Sequence, residues 1–121
     1  MQNNEKDFHK KLLGKLGEKK ATEFLKGKGY KILETNYKTR VGEIDVIAKD
    51  GEYVVFIEVK TRTGTKFGMP SEAVNRQKQT KYFSIASEYL IKNRLEEAKC
   101  RFDVIEVLNN EINHIIDAVY M

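Results

Sequence analysis

With a single cysteine, Cys100, the chain cannot form an intrachain disulfide. Its two histidines, His9 and His114, stand isolated from each other and from Cys100, which argues against a Cys/His zinc site. Neither a P-loop nor a G-x-G-x-x-G occurs, so the glycine-rich phosphate cradles are excluded as well. There is no run of 18 apolar residues and no secretory h-region, which points to a cytoplasmic protein that does not enter a membrane. Repeats, linkers and low-complexity stretches are also lacking. The one proline, Pro70, precedes Ser71 where it suits the opening of a helix.

What is present reads as one domain over residues 1–121. At 121 residues, 40% hydrophobic and 33% charged, the chain is long enough for a single core without staples. Residues 1–7 are polar and expected to fray. The balance of 22 Lys+Arg against 18 Asp+Glu gives +4, and the pI is near 9.1, which suits a nucleic-acid partner without requiring one. The lysines are unevenly spread. Lys10, Lys11, Lys15, Lys19, Lys20, Lys26 and Lys28 crowd the first helical stretch, and Lys60, Arg62, Lys66, Arg76, Lys78 and Lys81 form a second group. A solvated surface is the plain reading of either group taken alone.

Periodicity predicts a first helix ending near Lys28, with Leu12, Leu13, Leu16, Ala21, Phe24 and Leu25 on its apolar face and Gly27 and Gly29 stopping it. Strands are expected at 30–36, 43–48 and 53–60, then a helix over 71–93 carrying Ala73, Val74, Tyr82, Phe83, Ala86, Tyr89 and Leu90. Two further strands, 101–108 and 112–119, flank Asn109-Asn110, a dipeptide suited to positive φ in a hairpin. The order αβββαββ predicts an α/β fold whose mixed sheet places the fourth strand parallel to the third, across a helical crossover.

Within this frame the charges in "DVIAKDGEYVVFIEVK" demand an explanation, because a buried charge costs several kcal/mol, roughly, unless it is paired or metal-bound. A hairpin turning at Asp50-Gly51 would set Lys49 opposite Glu52, Asp45 opposite Phe56 and Glu43 opposite Glu58. Asp45, Glu58 and Lys60 then share one face, while Ile44, Val46, Ile57 and Val59 point into a core. Converging carboxylates are relieved by a hard divalent cation, of which Mg²⁺ fits best, and a lysine beside them can steady water and phosphate charge. The plainer alternative is a solvent-facing Glu-Lys pair with Asp45 in a surface turn. Asp103 and Glu106 alternate to opposite strand faces and make no second pair, so Asp103 is expected to be a structural hydrogen-bonding partner.

The joint order of "LGEKKATEFLKGKGYKIL", "RVGEIDVIA", "VVFIEVKTR", "FGMPSEAV" and "RFDVIEV" resembles the YraN family of small bacterial proteins. That family is related to archaeal Holliday-junction resolvases and to the nucleases with a D...(D/E)-x-K signature. The resemblance covers nearly the whole chain. It implies a restriction-endonuclease-like mixed sheet flanked by helices and a Mg²⁺- or Mn²⁺-dependent endonuclease acting on DNA of branched or unusual structure. It makes Asp45 and Glu58 the metal ligands, Lys60 the catalytic lysine and Glu18 the helix carboxylate. On a helical wheel Glu18 lies near Gly14, Ala21 and Leu25, where small neighbours would let the sheet end approach. Ile44 stands where such nucleases often carry proline, and Glu43 is either a spare ligand or a rim residue.

From "NRQKQ" the kinship brings a polar residue to the site, Lys78 or Gln79. Arg40, Arg62 and Lys66 are candidate phosphate contacts on flanking loops. Resolvase kin act as dimers, which makes a homodimer possible, although no dimer face can be read from the sequence. Two other readings stay open: a non-catalytic nucleic-acid-binding or assembly module that keeps the fold, and an exposed-edge dimer whose acidic cluster is incidental.

Overall fold

A computed structural model describes residues 2–64 and 76–118. Helix α1 (Gln2–Gly27) begins earlier than expected, because residues read as frayed are already helical from Gln2. Lys and Glu are good helix formers, and Glu5 lies in the first turn where the helix dipole favours an acid. At the other end the Tyr30 N–H donates to the Leu25 carbonyl and the Gly29 N–H to that of Lys26, each at 3.0 Å. Gly29 has φ +92°, so it, rather than Gly27, supplies the left-handed step of a Schellman cap. Tyr30 and Leu25, both buried, make the apolar contact that seals it. The apolar face of α1 is narrower than its sequence suggests: Ala21 and Leu25 are fully buried, yet Leu12 and Leu16 are 46% and 47% exposed.

Strands β1 (Lys31–Lys38), β2 (Glu43–Asp50) and β3 (Tyr53–Arg62) form an antiparallel meander. Helix α2 (Arg76–Lys92) leads to β4 (Lys99–Leu108) and β5 (Glu111–Ile115). The sheet order is β1-β2-β3-β4-β5, with β4 parallel to β3 and β5 antiparallel to β4, the mixed α/β arrangement expected from the order αβββαββ. The opening of the second helix at Pro70-Ser71, with Ala73, Val74 and Lys66, lies outside the described residues. Strand β5 ends at Ile115, short of the expected 119, and a turn follows in which Asp117 has φ 56°. Among the described residues no helix is long and apolar enough to cross a membrane.

Both sheet faces are covered, which is why Val54 to Ile57 is a continuous apolar run with no exposed member. On one face Ala21 and Leu25 of α1 pack with Val46, Ala48, Val55, Ile57, Ile105 and Val107. On the other, Ile85, Ala86 and Tyr89 of α2 pack with Ile44, Ile47, Val54, Phe56 and Phe102.

The register of β2 on β3 differs from the expected one by two residues. Lys49 pairs with Val54 rather than Glu52, and Asp50 with Tyr53, so the loop is Gly51-Glu52. Asp50 belongs to the strand, where its carboxylate accepts from Arg101 Nη1 at 3.2 Å, and Gly51 takes the first central turn position at φ +58°. A shift of two preserves which face each residue of β3 occupies. It removes the expected Asp45–Phe56 and Glu43–Glu58 pairings and continues the Val46–Ile57 rung to Asp45 facing Glu58. The ladder itself stops at Val46–Ile57. Beyond that point the Val59 N–H donates at 2.8 Å to Asp45 Oδ2. A carboxylate has taken the place of a backbone carbonyl. Ile44 departs from expectation too: it packs with Ile47 on the α2 side while Val46 packs on the α1 side, so the in-out alternation of β2 breaks at Asp45.

Candidate metal centre

Asp45 lies at the point where the ladder between β2 and β3 ends. One carboxylate oxygen each from Glu18, Glu43 and Asp45 lies within 4.8 Å of the others. Glu43 opens β2, two residues before Asp45. Glu18 is delivered by the helix residue before it: a Cβ on Gly17 would overlap Thr61 Oγ1 and stand 3.3 Å from Thr61 Cβ, so only glycine lets α1 ride this close to β3. Gly14, the small neighbour suggested by the helical wheel, has open space where its Cβ would be. Burial pushes the Asp45 carboxyl up to about 7. The Val59 N–H opposes that rise, while the charges of Glu18, Glu58 and Glu43 add to it. Glu18 is also raised, by burial and then by Glu43, against the pull of Asn36 and Lys15.

Glu58 faces Asp45 from β3 and is 8% exposed. Its Oε1 accepts from Lys78 Nζ of α2 at 3.0 Å, whereas its buried Oε2 has no hydrogen-bond partner among the described residues. Burial and the neighbouring Lys78 hold the Lys60 ammonium below the usual lysine range, opposed by Glu58. Tyr82, one turn after Lys78, packs on the α2 core, and its hydroxyl is raised by burial and by a polar contact with Glu58. Glu106, paired with Lys60 across β3 and β4, has no exposed surface and accepts from Arg62 Nε at 3.0 Å and Asn113 Nδ2 at 3.3 Å.

The candidates thus separate. Glu18, Asp45, Glu58, Lys60 and Lys78 meet at one end of the sheet. Gln79, half-buried on α2, hydrogen-bonds to none of the carboxylates among the described residues. Arg40 is exposed at the tip of the β1–β2 turn, which Thr39 Oγ1 holds by accepting from the Val41 and Gly42 N–H groups. Arg62 is turned inward on Glu106. Lys66 lies outside the described residues. Sequence reasoning left Glu43 as a spare and missed Tyr82, Glu106 and Asn36. The i,i+4 spacing of Lys78 and Tyr82 was the available signal for Tyr82.

Asp103 is the structural partner expected: it binds Arg101, the Asp117 N–H and His114 Nε2, the last at 2.8 Å. His114 is therefore not isolated, since its Nδ1 also accepts from Lys28 Nζ at 2.9 Å.

The family model described as "Uncharacterised protein family UPF0102" matches residues 17–107, a span that takes in Glu18, Glu43, Asp45, Glu58, Lys60, Lys78 and Glu106. The chain belongs to UPF0102, the YraN family. A UPF0102 protein of Caldanaerobacter subterraneus subsp. tengcongensis is 47% identical over 120 residues, covering 93% of this chain and 98% of the relative. One from Clostridioides difficile is 50% identical over 107 residues, at 87% and 94% coverage. A third, from Dictyoglomus thermophilum, is 42% identical over 114 residues, at 94% and 97%.

The UPF0102 site fits a divalent metal by its donor chemistry. Its donors are all carboxylate oxygens, three of them convergent, and the buried Glu58 Oε2 lacks a partner among the described residues. Hard cations such as Mg²⁺ or Mn²⁺ take such ligands. Glu18 also lines a surface cleft of about 370 Å³ with Lys10, Leu13, Gly14, Val59, Thr61 and Thr63, so its carboxylate can be reached from solvent.

Proposed function

We propose that this UPF0102 domain is a Mg²⁺- or Mn²⁺-dependent endonuclease that hydrolyses phosphodiesters, with DNA of branched or unusual structure as its substrate. The observation that carries this reading is the convergence of Glu18, Glu43 and Asp45, with Glu58 close enough for its charge to raise Asp45 and its Oε2 without a partner among the described residues, and with Lys60 two residues along the same strand. Asp45 and Glu58 would hold the ion, with Glu18 and Glu43 completing the set. When bound, the cation supplies polarisation of the phosphoryl oxygen and acidification of water. Asp45, raised to about 7, must give up its proton as the ion enters. Lys60 neutralises charge developing on the phosphate, its pKa held below the usual lysine range by burial and by Lys78. Arg40, exposed on the β1–β2 turn, and Lys10, in the cleft that Glu18 lines, would contact the flanking phosphates, and a homodimer would bring two such sites to two strands.

One contact favours a second reading. Lys78 already neutralises one oxygen of Glu58, as it would in a nucleic-acid-binding or assembly module that keeps the fold without the chemistry.

The test is incubation of the full chain with labelled junction, flap, single-stranded and duplex DNA, and with RNA, in Mg²⁺, Mn²⁺ or chelator. The parent should cleave only with metal. Asp45→Asn and Glu58→Gln should abolish cleavage and weaken metal binding while keeping DNA affinity. Lys60→Ala should retain the metal and lose about two to four orders of magnitude in rate. Variants that cleave as well as the parent would remove these residues from the mechanism. A parent that binds DNA yet never cleaves, and whose melt does not move with Mn²⁺, would establish the binding module instead.

A further inference from the structure

We propose that Asn36 is a positioning residue that holds the Glu18 carboxylate within the carboxylate group around Asp45. The proposal rests on the metal-centre reading above.

Asn36 sits inside β1, between the paired rungs Thr35–Val46 and Tyr37–Ile44, and so lies across from Asp45. Its φ is 51°, a left-handed conformation in the middle of a strand. Left-handed geometry is strained for an ordinary side chain and suits Gly or Asn. It falls on the rung where the alternation of β2 breaks and the carboxylates gather. The distortion and the site therefore share one place in the sheet.

The side chain fits the task. Asn36 lines a surface cleft with Glu18, Lys15, Lys19, Thr22 and Thr35, and its amide makes a polar contact that favours the ionised form of Glu18. Glu18 approaches from a helix, with a like-charged Glu43 pushing it away. A neutral donor steers that carboxylate without cancelling the charge a cation needs, whereas a lysine at position 36 would compete with the cation. Asparagine is the residue that combines a left-handed backbone with an amide N–H. Glycine would keep the backbone and lose the donor. Aspartate would keep a side chain of the same size and add repulsion.

These substitutions define the experiment. Mn²⁺ affinity of the full chain is measured from pH 6 to 8 for the parent, Asn36→Gly, Asn36→Asp, Glu18→Gln and the double variant Asn36→Gly with Glu18→Gln. Asn36→Gly should retain the circular dichroism of the parent and bind Mn²⁺ about three- to tenfold more weakly, the worth of one net hydrogen bond. Asn36→Asp should bind more weakly still. In the Glu18→Gln background, Asn36→Gly should cause no further loss, because the residue acts through Glu18. Unchanged affinity in Asn36→Gly, or the same loss with and without Glu18, would overturn the proposal and leave the metal centre standing. A parent that binds no Mn²⁺ at all would overturn the metal-centre reading, and this proposal with it.

Discussion

Glu106 shows what a single ionic residue requires in this fold. It is completely buried, and Arg62 and Asn113 answer its charge. Removing Arg62 leaves the buried carboxylate without its opposite charge, and the amide of Asn113 cannot replace it. Arg62→Ala should therefore destabilise the chain by about 3–5 kcal/mol in urea unfolding, while Arg62→Met with Glu106→Leu should recover most of the loss. An unchanged urea midpoint for Arg62→Ala would show that the pair carries no such weight. Sequence reasoning read Arg62 as a phosphate contact because "KTRTGTK" looks like a basic loop. The partner lies 44 residues away on a parallel strand, and no local pattern announces it. Asp45, Glu58 and Lys60 were legible for the opposite reason: charges that interrupt an apolar strand are visible in the sequence itself.

At the scale of elements, α1 approaches β3 tightly at Gly17. Gly17→Ala would drive a methyl group into Thr61 and lift the helix that carries Glu18. Overpacking of this kind costs about 1–3 kcal/mol. The variant should melt lower and bind Mn²⁺ less tightly, and adding Thr61→Ala should restore much of both. If Gly17→Ala melts with the parent, Thr61 has simply rotated away and the glycine is dispensable. The elements were readable from sequence because their signals are local: apolar periodicity, Gly29 at a helix end, Asn109 at φ 56° in the last hairpin. Their mutual register was not. Asp50-Gly51 and Gly51-Glu52 both make two-residue loops, and the choice was decided by the distant Arg101 that draws Asp50 into the strand. The break in alternation at Ile44 was equally hidden, since it arises from three segments meeting.

For the whole molecule, opposed carboxylates shape the dependence of stability on pH. Burial alone would raise Asp103, but His114, Arg101 and the Asp117 N–H hold it below the usual range, so its contribution is complete above about pH 4 and fades as pH falls further. Asp45 works the other way. Its raised pKa means that the folded state keeps a proton the unfolded chain has released, so metal-free stability should fall as pH rises from about 4 to about 7. Glu18 adds to that fall. Mn²⁺ should reverse it, raising the melting temperature most at pH 8 and least at pH 5. A metal-free melt that stays flat between pH 4 and 7, or that Asp45→Asn leaves unchanged, would exclude Asp45 as the source.

The interruptions of β1 reach beyond the carboxylates. It is an outer strand of the sheet, with a register shift between Ile32 and Glu34 and the left-handed Asn36 three residues later. A straight outer strand is a template for aggregation, and bulges and charged ends are what blunt it. With Lys31 and Lys38 at its ends, β1 offers an incoming chain no long even row of donors and acceptors. Straightening it with Asn36→Val should free an edge for fibrillar stacking, so the kink that brings Asn36 to the cleft of Glu18 would also blunt that edge.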